Sequence, residues 1–213
     1  MEKQLTRSRD TTADLALVAL FAALIAVCAI LPALKLTASG VPITLQTFGV
    51  LLAGAVLGAR RGFLAVCLYL LVGFAGLPIF SGGAGGLGVL AGPTAGYLLA
   101  FPFAAALCGF LVEQLLRTHL RWQTPLVFLA GITSSFAFIH TFGIIGLSIQ
   151  LDVSLAQALA LDVAFWPGDV IKNIAMAIVA TAVHRAFPDL LPRRFATNHA
   201  VSPESSRQPD GTH

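Results

Sequence analysis

Charge is what this sequence has least of. Only 11% of its 213 residues are Asp, Glu, Lys or Arg, against about 25% in an ordinary soluble domain. Between Gly62 and Val112 there is none at all. A soluble domain must offer water a polar surface over so long a stretch, so this scarcity excludes one. Alternating segments of roughly ten residues are missing too, which excludes a transmembrane β-barrel. Cysteine is sparse and unpaired: Cys28, Cys67 and Cys108 all lie within apolar runs. They indicate neither a disulfide framework nor a metal site, and read as small buried hydrophobes. The bases stand in scattered pairs rather than along one face, which gives no footprint for nucleic acid. No H-E-x-x-H, no G-x-S-x-G and no glycine loop ending in Lys and Ser or Thr occurs. Zinc-protease, esterase and nucleotide-hydrolysing chemistry therefore lack their motifs.

What is present is hydrocarbon, with 57% of the residues hydrophobic. A helix needs about 20 apolar residues to cross the roughly 30 Å core of a bilayer. Six segments approach that length, at about 13–33, 43–59, 62–79, 93–116, 124–148 and 163–185. They predict an all-α integral membrane protein, a compact bundle of six transmembrane helices. Bases near segment ends favour the cytoplasmic side. With the N-terminus inside, Lys3, Arg7 and Arg9, then Arg60 and Arg61, then Arg117 and Arg121, then Arg185, Arg193, Arg194 and Arg207 all fall inside. The 80–92 and 149–162 loops carry no base, and Lys35 is the exception. Both termini are thus expected in the cytoplasm. Residues 1–12 form a cytoplasmic N-terminal segment and 13–187 one domain. The polar 188–213 tail is expected to be disordered, and the first apolar run is too long for a signal peptide.

One charge pair interrupts the last apolar segment. In "WPGDVIKN" Asp169 and Lys172 stand three residues apart, about 300° around a helix and so on one face. Asn173 extends that patch. Two readings are open. Pro167 and Asp169 suit the first turn of a helix, with Lys172 snorkelling outward. Alternatively, an intramembrane acid and base mark a functional site. Two further polar stretches fall on the same side. One is "LKLTASGVPITLQT", with Thr37, Ser39, Thr44, Gln46 and Thr47; the other is the glycine-rich 77–97 stretch, with Ser81, Gly82 and Tyr97. Together they outline an outward-facing pocket. Lys172 offers a cation to a carboxylate and Asp169 an acceptor to N–H groups, with Phe80, Tyr97, Phe165 and Trp166 as apolar cover. His140, near Thr133, Ser134 and Ser135, reads as a hydrogen-bonded interior histidine, with a proton-relay role as the alternative. Small residues recur at spacing four in Gly54, Gly58 and Gly62, and in Ala19 and Ala23 beside Ala22 and Ala26. Internal packing explains the glycines; for the alanine strip a partner helix is an equal reading.

"GVPITLQTFGVLLAGAVLGARRG", "LYLLVGFAGLPIFSGGAGG", "GPTAGYLLAF" and "PGDVIKN", in this order over residues 13–187, resemble the BioY family. These are the biotin-binding S components of energy-coupling factor (ECF) transporters. The resemblance implies six helices in the bacterial cytoplasmic (inner) membrane and an outward biotin pocket closed by the 34–43 loop. It implies that Asp169 contacts the ureido ring and Lys172 the valerate carboxylate, with Gln46 and Tyr97 lining the pocket. It also implies that Ala19 and Ala23 dock a membrane coupling (T) subunit, which works with two cytoplasmic ABC-type ATPases. A homo-oligomer is left open. The competing expectations are an intramembrane enzyme acting on a small carboxylate through Asp169 and His140, and a ligand-free membrane assembly subunit.

Overall fold

A computed structural model describes residues 2–31, 41–116 and 123–187. Among them, every regular element is helical apart from isolated bridge residues, Ile43 and the pair Phe80 and Ala84. Eight α-helices follow one another: α1 (Glu2–Ile30), α2 (Gln46–Leu57), α3 (Ala59–Phe74), α4 (Ala95–Leu116), α5 (Gln123–Ser134), α6 (Thr141–Leu151), α7 (Leu155–Asp162) and α8 (Trp166–Ala186). A π-helical turn, Ser135–His140, joins α5 to α6, and a 3-10 turn, Val163–Phe165, joins α7 to α8.

Among the described residues, four stretches are long and apolar enough to cross a membrane: Thr11–Ile30, Ala95–Leu115, Gln123–Leu151 and Leu155–Ala186. Large apolar side chains on the outside of the bundle are exposed, Leu71, Ile149 and Ile171 by about two-thirds. An apolar surface so extensive belongs in lipid, where helices satisfy every backbone polar group internally. The chain is a multi-pass membrane protein.

Two boundaries differ from the sequence expectation. The backbone is helical from Glu2, well before the apolar run begins, because hydropathy reports only the part that needs hydrocarbon. The 149–162 segment, expected as a loop, is largely helix. Asp152 ends α6 in the left-handed region at φ 52°, a common way to terminate a helix. Ser154 and Gln157 then form a capping box that starts α7, satisfying two otherwise orphaned N–H groups. The expected 188–213 tail, Lys35, Thr37, Ser39, Arg117 and Arg121 lie outside the described residues.

Gly58 separates α2 from α3. Its φ of 84° and ψ of 177° fall in a region open essentially to glycine alone, so the two helices meet with no further linker. The predicted glycine ridge is therefore bent around a corner rather than laid along one helix. Glu113 of α4 accepts the N–H of Ala59 at 2.9 Å, capping α3 where no water is needed. Gly54 lets the α2 backbone meet that of α4: a Cβ there would lie 2.1 Å from the carbonyl oxygen of Ala105. Such small-residue contacts replace the hydrophobic drive that lipid removes. α8 packs against α2 and α5, and α4 against α5 and α6.

Candidate functional site

The N-terminal ends of α2, α4 and α8, with the chain before α2 and after α3, surround a partly open cavity. Val41, Phe80, Leu98, Phe101, Ile139 and Phe165 make its apolar wall. Thr44, Gln46, Thr47, Ser81, Thr94, Tyr97, Asp169 and Lys172 supply the polar groups. A few convergent polar groups in an apolar cleft are the pattern of a small-molecule site.

Asp169 and Lys172 sit here because α8 turns both onto the face that meets α2. Lys172 Nζ donates to Asp169 Oδ1 at 2.9 Å and to Thr47 Oγ1 at 3.2 Å. Thr47 Oγ1 in turn donates to the same Asp169 oxygen at 3.0 Å. The lysine therefore does not snorkel away: its side chain is only 11% exposed. A buried ion pair carries a desolvation cost that its own attraction offsets only with good hydrogen bonding. Its place on a cavity wall favours the functional reading over the helix-start reading, although Pro167 and Asp169 do occupy the first turn of α8.

Of the other expected residues, Gln46, Thr44, Ser81 and Tyr97 line the cavity. Gln46 Nε2 donates to Tyr69 Oη at 2.8 Å, and Tyr69 donates to the Ile79 carbonyl, which ties α2 to the loop after α3. Asn173 lies one layer deeper and buried, where its Nδ2 donates to the Asp169 carbonyl at 2.9 Å and to Ser135 Oγ. It positions α8 rather than lining the cavity. Gly82 is exposed and away from the lining; its positive φ of 72° bends the chain beside Ser81. Phe80, Tyr97 and Phe165 give the expected cover, whereas Trp166 turns inward against Phe136 and His140. Ala19 and Ala23 are exposed on the outer face of α1, while Ala22 is buried.

Beneath the cavity lies a residue the sequence reading passed over. Asp162 is fully buried and accepts Tyr97 Oη at 2.7 Å, His140 Nδ1 at 2.8 Å and Trp166 Nε1 at 2.9 Å. Read as loop, it offered no signal; read as helix, it stands seven residues before Asp169, two turns away on the same face. His140 is hydrogen-bonded in the interior as expected, and its Nε2 lies 3.6 Å from Asp169 Oδ2. The π turn that carries it is a helix distortion found often at functional sites. Among the described residues no group of His, Cys, Asp and Glu could hold a metal ion.

Comparison with known proteins identifies relatives of this chain. The family model described as the BioY family matches residues 1–189. The protein named Biotin transporter BioY from Rhizobium etli is 43% identical over 186 residues, covering 86% of this chain and 99% of that protein. Its namesake from Rhodobacter capsulatus is 40% identical over 190 residues, covering 84% and 96%. A crystal structure described as the S-component for biotin from an ECF-type ABC transporter superposes with a TM-score of 0.75. It shares 30% identity and covers 83% of this chain and 93% of that one.

Proposed function

The chain belongs to the BioY family, and we propose that it captures biotin from the outer side of the membrane as the S component of an ECF-type vitamin transporter. It is a transporter subunit, not an enzyme. The observation that carries the ligand assignment is the Asp169–Lys172–Thr47 cluster on one wall of an otherwise apolar cavity. Biotin has matching parts: a carboxylate for Lys172, ureido N–H groups for Asp169, and an apolar fused ring with an aliphatic chain for the aromatic wall. Gln46, Thr44, Tyr97 and Ser81 are its further contacts. Energy for release inward comes from a membrane coupling subunit and two cytoplasmic ATPases.

The bundle counts as six helices when α5 with α6 and α7 with α8 are each taken as one crossing. With both termini in the cytoplasm of a bacterium and the chain in its inner membrane, the positive-inside pattern is met and the cavity opens outward. The exposure of Ala19 and Ala23 on α1 supports their role in docking the coupling subunit. Enlarging both to Leu leaves biotin binding unchanged but lowers uptake in cells carrying that subunit; undiminished uptake would remove the docking role.

The deciding experiment is a calorimetric titration of the detergent-solubilised protein with biotin and with an uncharged biotin amide. Lys172→Ala loses about 2–5 kcal/mol of biotin binding, as expected for truncating one partner of a buried charge pair, and much less for the amide. Equal losses would refute the carboxylate assignment.

A further inference from the structure

His140 faces two carboxylates but hydrogen-bonds only one. Its Nδ1 is committed to Asp162, which also takes the Tyr97 hydroxyl and the Trp166 N–H. Three donors on one fully buried carboxyl group fit its ionised, acceptor-only form. Nδ1 is then the protonated nitrogen. Nε2 carries a lone pair in the neutral ring and becomes a donor only in the imidazolium. This Nε2 is buried without a hydrogen-bond partner, 3.6 Å from Asp169 Oδ2. The other oxygen of Asp169 holds Lys172 and Thr47.

Charge counting gives this arrangement a consequence. The groups facing the histidine are Asp162 on α7, Asp169 and Lys172 on α8, and the Tyr97 phenol on α4 by way of Asp162. With a neutral imidazole the two acids and one base leave a single net negative charge. A carboxylate drawn to Lys172 competes with Asp169 for that cation and adds a second negative charge to a poorly solvated site. Uncompensated charge in such a place is costly.

We propose that His140 takes up a proton from bulk water as the ligand carboxylate binds. The imidazolium Nε2–H then donates to Asp169 Oδ2, taking over from Lys172 as the counter-charge of that acid. One carboxylate and one proton enter together, so the net charge of the site is unchanged. Asp162 fixes the tautomer that leaves Nε2 facing Asp169, and His140 is a positioning residue acting through Asp169. This inference rests on the proposed pairing of Lys172 with the carboxylate of biotin.

The full chain in detergent is titrated with biotin near neutral pH in buffers of different ionisation enthalpy. Binding heat plotted against buffer ionisation heat gives a slope of up to about one proton taken up per biotin. Biotin amide gives a slope near zero. Biotin affinity falls with rising pH, by up to about tenfold per unit, over the range in which binding takes up the proton. His140→Gln abolishes both the buffer dependence and this pH dependence, which a merely structural role would leave in place. If that variant does not fold, the contrast between biotin and its amide on the unaltered protein still decides. Biotin binding with no buffer dependence, or equal dependence for the amide, would overturn this inference alone. No biotin binding by the folded protein would overturn the proposed function and this inference with it.

Discussion

α2 and α4 start side by side at the cavity and end in backbone contact, and their two halves use opposite residues. At the cavity end they present Gln46, Thr47, Tyr97, Leu98 and Phe101. At the far end they present Gly54, Ala104, Ala105 and Gly109, where a Cβ on Gly109 would lie 2.4 Å from the Gly58 carbonyl carbon. Side-chain size along two helices thus decides where the bundle closes and where it leaves room. Polar groups follow the room. Among the described residues, the most buried acids and their partners cluster at or below the cavity, whereas the close-packed end carries only single polar groups such as Thr181, Glu113 and His184. Close packing and the candidate site occupy different halves of the same helices.

The largest expected effect on folding breaks the closed half. Gly54→Ala drives a methyl group into the Ala105 carbonyl, a backbone atom that cannot turn aside. Overpacking costs typically about 1–3 kcal/mol and more where backbone must move, so the variant unfolds at a markedly lower temperature. Gly88→Ala is the control. It sits in the loop before α4 with nothing within 4 Å of the added Cβ, and its melting curve should match that of the unaltered protein. Equal melting temperatures for the two variants would deny that backbone contact closes the bundle.

An effect on binding rather than on folding belongs to the open half. Asp169→Asn keeps an acceptor for ligand N–H groups but removes the charge that Lys172 and Thr47 share. A loss of about 2–5 kcal/mol in biotin binding is expected, with the fold retained because the side chain lies on the cavity wall. Calorimetry paired with a thermal melt checks both halves of that statement. A variant that binds as before would remove Asp169 from the ligand site.

Much of this division was legible in the sequence. The scarcity of charge pointed to the membrane, and a charge pair inside an apolar run pointed to the candidate site. The spacing of Asp169 and Lys172 on one helical face needed no tertiary knowledge. Asp162 was hidden because eight residues of α7 are too short and too mixed to announce a helix by periodicity; only the capping box at Ser154 and Gln157 marks its start. The partner of His140 was hidden for the same reason, since it lies 22 residues away on that helix. The glycines divide likewise. Spacing of four showed that Gly54 and Gly58 mattered, yet not that one makes a contact and the other a corner.

The smallest effect tests whether the cavity is built for a ligand or is merely a gap in packing. Ser81 lines it, and its hydroxyl oxygen is buried with no hydrogen-bond partner. A buried polar group left unpaired costs stability, and removing it is neutral or favourable to the protein alone. If a ligand polar atom completes that hydroxyl, Ser81→Ala costs about 1 kcal/mol of biotin binding, the usual net worth of one neutral hydrogen bond. The same variant melts at the same temperature or slightly higher. Opposite signs for stability and affinity at one side chain are what a recognition site predicts and a packing defect does not. A variant that gains stability with no loss of affinity would return Ser81 to the scaffold.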